Sequence, residues 1–176
     1  KLFDMELIDV VKQETHGGSL RYVCARKNTY EVKKNVSLFL SEESKKNLDN
    51  SNSCFRFKKN CENSKRNLVN KLLALKEDNK KICGYAATSK STTILNYCGI
   101  GTEIIDFICD TTPEKIGKFS PGKHIPVLDS SSIYEKKPDV LIILAWNFAE
   151  DIMLKHKRYG EEVGTFLTPM PLPRLV

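Results

Sequence analysis

No stretch of this 176-residue chain strings together the roughly 20 apolar side chains that a helix needs to cross a bilayer, so a spanning helix is excluded. No CxxC pair occurs among the six cysteines, and His16, His124 and His156 stand far apart, so metal-ligand spacing is missing and no metal is implied. Cys83, Cys98 and Cys109 sit in apolar runs where a small buried thiol is ordinary, and the six together read as reduced cysteines of a cytoplasmic protein. Glycine is scarce, with 9 residues, and neither a Gly-x-Gly-x-x-Gly fingerprint nor a Walker A loop occurs. Serine, not glycine, precedes the pair Lys90-Ser91. A signal-peptide pattern is also missing. The opening Lys1-Leu2-Phe3-Asp4-Met5 reads as a chain entered in the middle of a strand, so more polypeptide is expected upstream.

With 40% hydrophobic and 28% charged residues the composition is that of a globular protein, long enough for one domain with an appendage. Lys plus Arg number 28 against 22 Asp plus Glu, a net charge of +6. The surplus is +2 over residues 1–34 and +4 over residues 35–80, and the last 96 residues are neutral. A nucleic-acid surface focuses charge among stacking aromatics. Here the excess lies on a Ser/Asn/Lys-rich helical stretch poor in aromatics, which reads as a solvated helix face. Neither a nucleic acid nor a membrane is expected as a partner.

Three zones follow from the patterning. Residues 2–11 and 20–25 are strand-like around Gly17-Gly18, which predicts a β-hairpin that needs something to pack on. Ser41-Glu42-Glu43 predicts a helix start, with Ser41 as N-cap and acidic residues in the first turn. After a break at residues 50–53, a helix is predicted over residues 54–76, with Phe57, Cys61, Leu68, Leu72 and Leu75 on one face. Beyond residue 81, strands at 81–86, 103–110, 124–127, 140–145 and 165–168 alternate with helices from Ser91 and over 147–159. Strands apolar throughout, with helices between, indicate a Rossmann-like open parallel sheet covered by helices on both faces. His156 falls on an apolar helix face and reads as a packed core residue.

In such a sheet ligands sit beyond the carboxyl ends of the strands. Three strand ends are therefore candidates. Residues 87–92 leave a strand and open a helix, where Ser89, Lys90, Thr92 and free backbone N–H groups suit a phosphate. Capping of the helix by Ser89 or Ser91 explains the same residues without a ligand. Asp110, closing the next strand, suits a ribose hydroxyl, or else builds a turn with Pro113. Trp146, the single tryptophan, offers a stacking surface or core packing, and Asn147 a ligand contact or a helix cap. His16, beside two glycines, is placed to move protons near neutral pH or is satisfied by backbone.

Several segments together resemble one family. They are Thr15-His16-Gly17-Gly18-Ser19-Leu20-Arg21, Thr93-Ile94-Leu95-Asn96-Tyr97-Cys98-Gly99-Ile100, Pro121-Gly122-Lys123-His124-Ile125-Pro126-Val127, Trp146-Asn147 and Pro171-Leu172-Pro173-Arg174. In order and spacing the chain resembles the C-terminal part of bacterial sugar C-methyltransferases. The resemblance implies a longer protein with a zinc module, a domain for S-adenosylmethionine, and a Rossmann-like C-terminal domain that helps bind a nucleotide-linked keto-sugar. It implies enolate formation beside the ketone, followed by attack on the methyl group. The family's proposed base lies in a Tyr-x-Glu-His type motif, which this sequence lacks, as it lacks the zinc module and the glycine-rich cofactor loop.

On that basis residues 1–27 are expected to be the terminal hairpin of a methyltransferase domain, 28–80 a helical connector, and 81–176 the Rossmann-like domain. The chain is expected to pack on its own upstream methyltransferase domain, to bind a nucleotide sugar, and to hold neither S-adenosylmethionine nor the catalytic base, so that by itself it lacks catalysis. Ser89, Lys90 and Thr92 are candidate nucleotide contacts; His16, Ser19 and Arg21 are candidate substrate-side residues; Asp110, Trp146 and Asn147 complete the set. Two other classes fit the same α/β order: a dinucleotide-binding oxidoreductase, which lacks its fingerprint here, and a non-catalytic interaction module.

Overall fold

The computed structural model describes residues 3–176, the side chain of His16 excepted. The chain divides into two compact units, one running through Asn60 and the other spanning Cys61–Val176.

In the first unit, β1 (Met5–Gln13) and β2 (Ser19–Arg26) pair antiparallel from Met5↔Arg26 to Gln13↔Ser19. The reversal between them places Gly17 at φ +85° and Gly18 at φ +116°, a left-handed region that β-carbons disfavour. An irregularity between Leu7 and Asp9 interrupts the ladder. Buried Asp9 accepts from Lys33 Nζ at 2.7 Å, and the Lys33 backbone N–H donates to Ile8 at 2.9 Å. This double tie fixes the entry to α1 (Lys34–Lys45). The helix thus starts seven residues before Ser41, and Glu42 and Glu43 lie in its last turn. The expected cap at Ser41 is overturned because attachment to β1 outweighs the local capping signal.

Helix α2 (Ser51–Glu77) resumes after a turn containing Asn47 at φ +53°. Leu68, Leu72 and Leu75 are buried as the periodicity predicts, but Phe57 is 70% exposed. The stripe meets a core only in the helix's second half, where those leucines join Ile82, Leu95 and Ile100.

The second unit is built on β3 (Ile82–Tyr85), β4 (Ile108–Asp110), β5 (Val127–Asp129), β6 (Val140–Ile143), β7 (Thr165–Thr168) and β8 (Arg174–Leu175). Their order is β5-β4-β3-β6-β7-β8, parallel except for β8. The period-two alternation of strands separates two cores. Ile82, Ile108, Val140 and Ile142 pack with α2 and with α3 (Ser89–Cys98). Cys83, Tyr85, Cys109, Leu141 and Ile143 pack with α4 (Ser132–Lys136), α5 (Ala149–Lys155) and α6 (Lys157–Glu162). The sheet is therefore covered on both faces, as expected. Cys83, Cys98 and Cys109 are buried, and all six cysteines are free thiols. Among the described residues no helix is long and apolar enough to cross a membrane.

Two predicted elements are shorter than their apolar runs. Residues 103–107 form a turn, because Gly101 O accepts from both Ile104 and Ile105 and Glu103 accepts from Gly101 N–H at 2.8 Å. Ile104 and Ile105 are apolar to fill the core, not to extend β4. The helix predicted over 147–159 divides into a 3₁₀ turn at Trp146–Phe148, α5 and α6, with the last break at His156.

His156 is buried, its Nε2 2.8 Å from the Tyr85 hydroxyl and its Nδ1 3.3 Å from that of Tyr134. Burial, with a smaller contribution from Lys155, lowers its pKa below the ordinary 6.5. A histidine held neutral in the fold contributes stability that is complete above the unfolded-state value and is lost as pH falls through the folded one. The melting temperature is thus expected to fall on acidification below about pH 6.5. His156→Phe leaves the Tyr85 hydroxyl without its partner, at a cost of about 1–3 kcal/mol near pH 7. The gap between the two proteins should narrow toward pH 5. Parallel melting curves across that range would dismiss this role for His156.

Candidate functional site at the switch point

The connection after β3 leads to β4 on one side, and that after β6 leads to β7 on the other, so the topology switches between β3 and β6. A crevice opens at the carboxyl ends of strands at such a point.

Ala86, the first residue past β3, has φ +76°, a strained conformation for a residue with a β-carbon. Hydrogen bonds hold it there: Ala86 N–H donates to Cys109 O at 2.7 Å, and Ala87 N–H to Asp110 Oδ2 at 2.7 Å. Helix α3 is capped by Thr88, whose Oγ1 accepts from Ser91 N–H at 3.1 Å while Ser91 Oγ accepts from Thr88 N–H at 2.8 Å. The capping expected of Ser89 or Ser91 thus belongs to Thr88, with Ser91 as its reciprocal partner. Ser89 and Lys90 become the first helical residues, whose N–H groups no intrahelical carbonyl reaches. Ser89 is exposed, and Thr92 Oγ1 donates to Thr88 O at 3.2 Å.

Lys90 reaches across the switch point. Its Nζ donates to Asn147 Oδ1 at 2.9 Å and lies 5.7 Å from the centre of the Trp146 ring. Both partners belong to the turn after β6, and both are half-buried. Asn147 therefore holds a lysine and caps no helix. No carboxylate faces Lys90 in an ion pair among the described residues, so its charge is met by an amide dipole and a ring face. An ammonium has three donors and Asn147 takes one, so an acceptor from outside can join Asn147 on Lys90.

Asp110 closes β4 and is buried. Its Oδ1 accepts from Thr112 N–H at 2.8 Å, and its Oδ2 accepts from Ala87 N–H and from Lys115 Nζ at 3.2 Å. Burial opposes the charged form, but the bonds from Thr112, Lys115 and Ala87 outweigh it and hold the carboxyl below its usual range. Asp110 therefore ties the loop carrying Lys90 to the turn after β4. Lys115 escaped the sequence reading. The signal was the turn Asp110-Thr111-Thr112-Pro113, which bends the chain back so that a cation five residues on meets the carboxylate.

The structure thus brings together Ser89, Lys90, Asp110, Trp146 and Asn147, with Thr92 one turn into α3. Ser19 and Arg21 belong to the first unit, where Ser19 Oγ donates to Thr15 O at 3.1 Å and Arg21 is exposed. The His16 side chain lies outside the described residues.

A cavity of about 570 Å³ opens at the opposite, amino-terminal ends of the strands, lined by Lys81, Asp106, Phe107, Pro126, Leu128, Lys136 and Pro138. None of the candidate residues lines it. Its Lys136 already rests 5.9 Å over the Phe107 ring, and Asp106 pairs with Lys76 at 3.9 Å. The switch point, in contrast, joins Lys90, an amide and an indole from the connections after β3 and β6, and Lys115 pairs with Asp110 at the end of β4.

The C-methyltransferase C-terminal domain family matches residues 14–171. C-methyltransferase NovU of Streptomyces niveus is 31% identical over 173 residues, which cover 98% of this chain and 41% of NovU. The chain therefore spans less than half the length of that relative.

Proposed function

Because the chain belongs to the C-methyltransferase C-terminal domain family, we propose that its α/β unit supplies the substrate-binding part of a C-methyltransferase acting on a nucleotide-linked keto-sugar. The observation that carries this reading is Lys90, held across the switch point by Asn147 and over Trp146. A lysine with no carboxylate partner, beside two N–H groups at a helix start, suits a phosphoryl group. The indole beside it suits a sugar or base face.

Methyltransferase chemistry implies S-adenosylmethionine in the longer protein, where it supplies the methyl group. The residues of the crevice do not fit it. Its sulfonium is a cation, and the crevice already holds Lys90 and Lys115. The acid in position to accept from its ribose, Asp110, gives both oxygens to this chain. We therefore place the methyl donor and the base that forms the enolate outside this chain. The β1–β2 hairpin is read as the last strand pair of the domain that binds the donor, packed on the upstream part of the protein. Ser19 and Arg21, with His16, are its candidate substrate-side residues.

The reading is tested by thermal shift on the full chain with a nucleoside diphosphate hexose, S-adenosylmethionine or a nicotinamide dinucleotide. A ligand at 100 times its Kd stabilises by about 2.7 kcal/mol. A saturable rise is expected with the sugar nucleotide alone. A rise with the dinucleotide instead favours an oxidoreductase-type domain. No response to any of the three favours an interaction module.

A further inference from the structure

We propose that the cavity at the amino-terminal ends of β3, β4, β5 and β6 is a second ligand site, one that takes a small aromatic carboxylate. Its walls come from the residues that lead into those strands. Lys81 precedes β3, Phe107 precedes β4, Pro126 precedes β5, and Lys136 and Pro138 precede β6. All lie within the second unit, and the space they enclose is about 570 Å³. That volume falls in the range of small-molecule pockets and admits a body of two fused rings.

The backbone of this wall is already engaged. Lys81 N–H donates to Asp139 at 2.8 Å, and Lys81 O accepts from Val140 at 3.0 Å. Phe107 O accepts from Gly84 and Pro126 O from Ile108, both at 2.8 Å, and Pro138 O from the Tyr159 hydroxyl at 2.9 Å. The two prolines carry no N–H. Phe107, Pro126, Leu128 and Pro138 thus offer apolar side chains, and polar recognition falls to the charged ones.

Those charges do not cancel. Asp106 is answered by Lys76 at 3.9 Å, and Asp139 by Lys80 at 3.6 Å. Glu135, next to Lys136 in the chain, accepts from Ser131 Oγ at 3.4 Å. Lys81 and Lys136 are exposed, and neither joins an ion pair among the described residues. Lys136 Nζ stands 5.9 Å from the centre of the Phe107 ring, which attracts the ammonium and leaves its N–H donors open. Two such lysines beside apolar walls suit a guest that joins a carboxylate to a flat hydrocarbon body. Inorganic phosphate leaves the apolar side chains uncovered, and a cation meets two like charges.

Calorimetric titration of the full chain with 1-naphthylacetate and its neutral amide, 1-naphthylacetamide, tests this. The acid is expected to bind saturably and about tenfold or more tighter than the amide, as one hydrogen bond to a charged group contributes. Lys81→Gln and Lys136→Gln should each weaken the acid about fivefold or more and leave the amide within about twofold. Lys136→Arg, which keeps the charge, should retain the acid. Because both lysines are exposed, melting temperatures should match that of wild type. An excess of nucleoside diphosphate should leave acid binding unchanged, since the switch point lies at the opposite ends of the strands. Competition between the two would put the acid in the crevice and overturn the proposal. Equal affinity for acid and amide, affinity untouched by both Gln variants, or no saturable binding at millimolar acid would overturn it as well.

Discussion

Lys90→Met is expected to weaken binding of a nucleoside diphosphate to the full chain by about ten- to hundredfold, the range that loss of a hydrogen bond to a charged group spans. The large effect follows from the neighbourhood of Lys90. Its partners are the Asn147 amide and the Trp146 ring, so a phosphoryl group meets a cation already positioned and not neutralised by an acid. Asn147→Ala should change affinity only a fewfold, since it removes a group that orients the lysine and leaves the charge in place. Asn147→Asp should be as damaging as loss of Lys90, because it supplies the missing counter-charge and adds a negative group where the phosphate sits. Affinity should also fall as salt rises from low to physiological concentration, as half-exposed charges are screened. Unchanged affinity in Lys90→Met would remove Lys90, Asn147 and Trp146 from the site together.

How much of this was legible follows from where each signal lies along the chain. The sheet was, because Ile82, Ile108 and Val140–Ile143 belong to runs apolar on both faces, which only a doubly covered sheet explains. The crevice was legible at Lys90, Trp146 and Asn147 because its elements are strand ends, and strand ends follow from the runs. What escaped were partnerships decided at long range. Helix α1 starts at Lys34 because of Asp9, 24 residues before Lys33. The helix after β6 breaks at His156 because of Tyr85, 71 residues away. Lys115 meets the loop after β3 because one oxygen of Asp110 is shared with Ala87. Thr88 caps α3 where Ser89 and Ser91 look equally able, since all three hydroxyls stand at the same helix start and only backbone geometry selects among them. Strand β8 is two residues long and owes its place to pairing with β7, extended by the exchange between Phe166 and Val176.

Cutting the chain before Lys81 is expected to abolish cooperative unfolding of the α/β unit, whereas cutting before Cys61 should preserve it. The family resemblance assigns residues 28–80 to a helical connector, and within it Leu68 and Leu72 are buried and join Ile82, Ile104, Ile142 and Leu144 in one core. Each buried leucine truncated to alanine costs about 2–5 kcal/mol. Total stability for a domain is about 5–15 kcal/mol, so losing Leu68, Leu72 and Leu75 together consumes most or all of it. Leu72→Ala in the full chain should therefore lower the urea midpoint by the share of stability that about 2–5 kcal/mol represents, with the slope unchanged. Far- and near-ultraviolet circular dichroism should show a sharp transition for 61–176 and a broad one, or none, for 81–176. The crevice depends on this core, since the face of β3 and β6 opposite His156 rests on those leucines. Equal midpoints for the two shortened chains would show that α2 is a strut outside the fold, and that the switch point is held by the sheet and α3 to α6 alone.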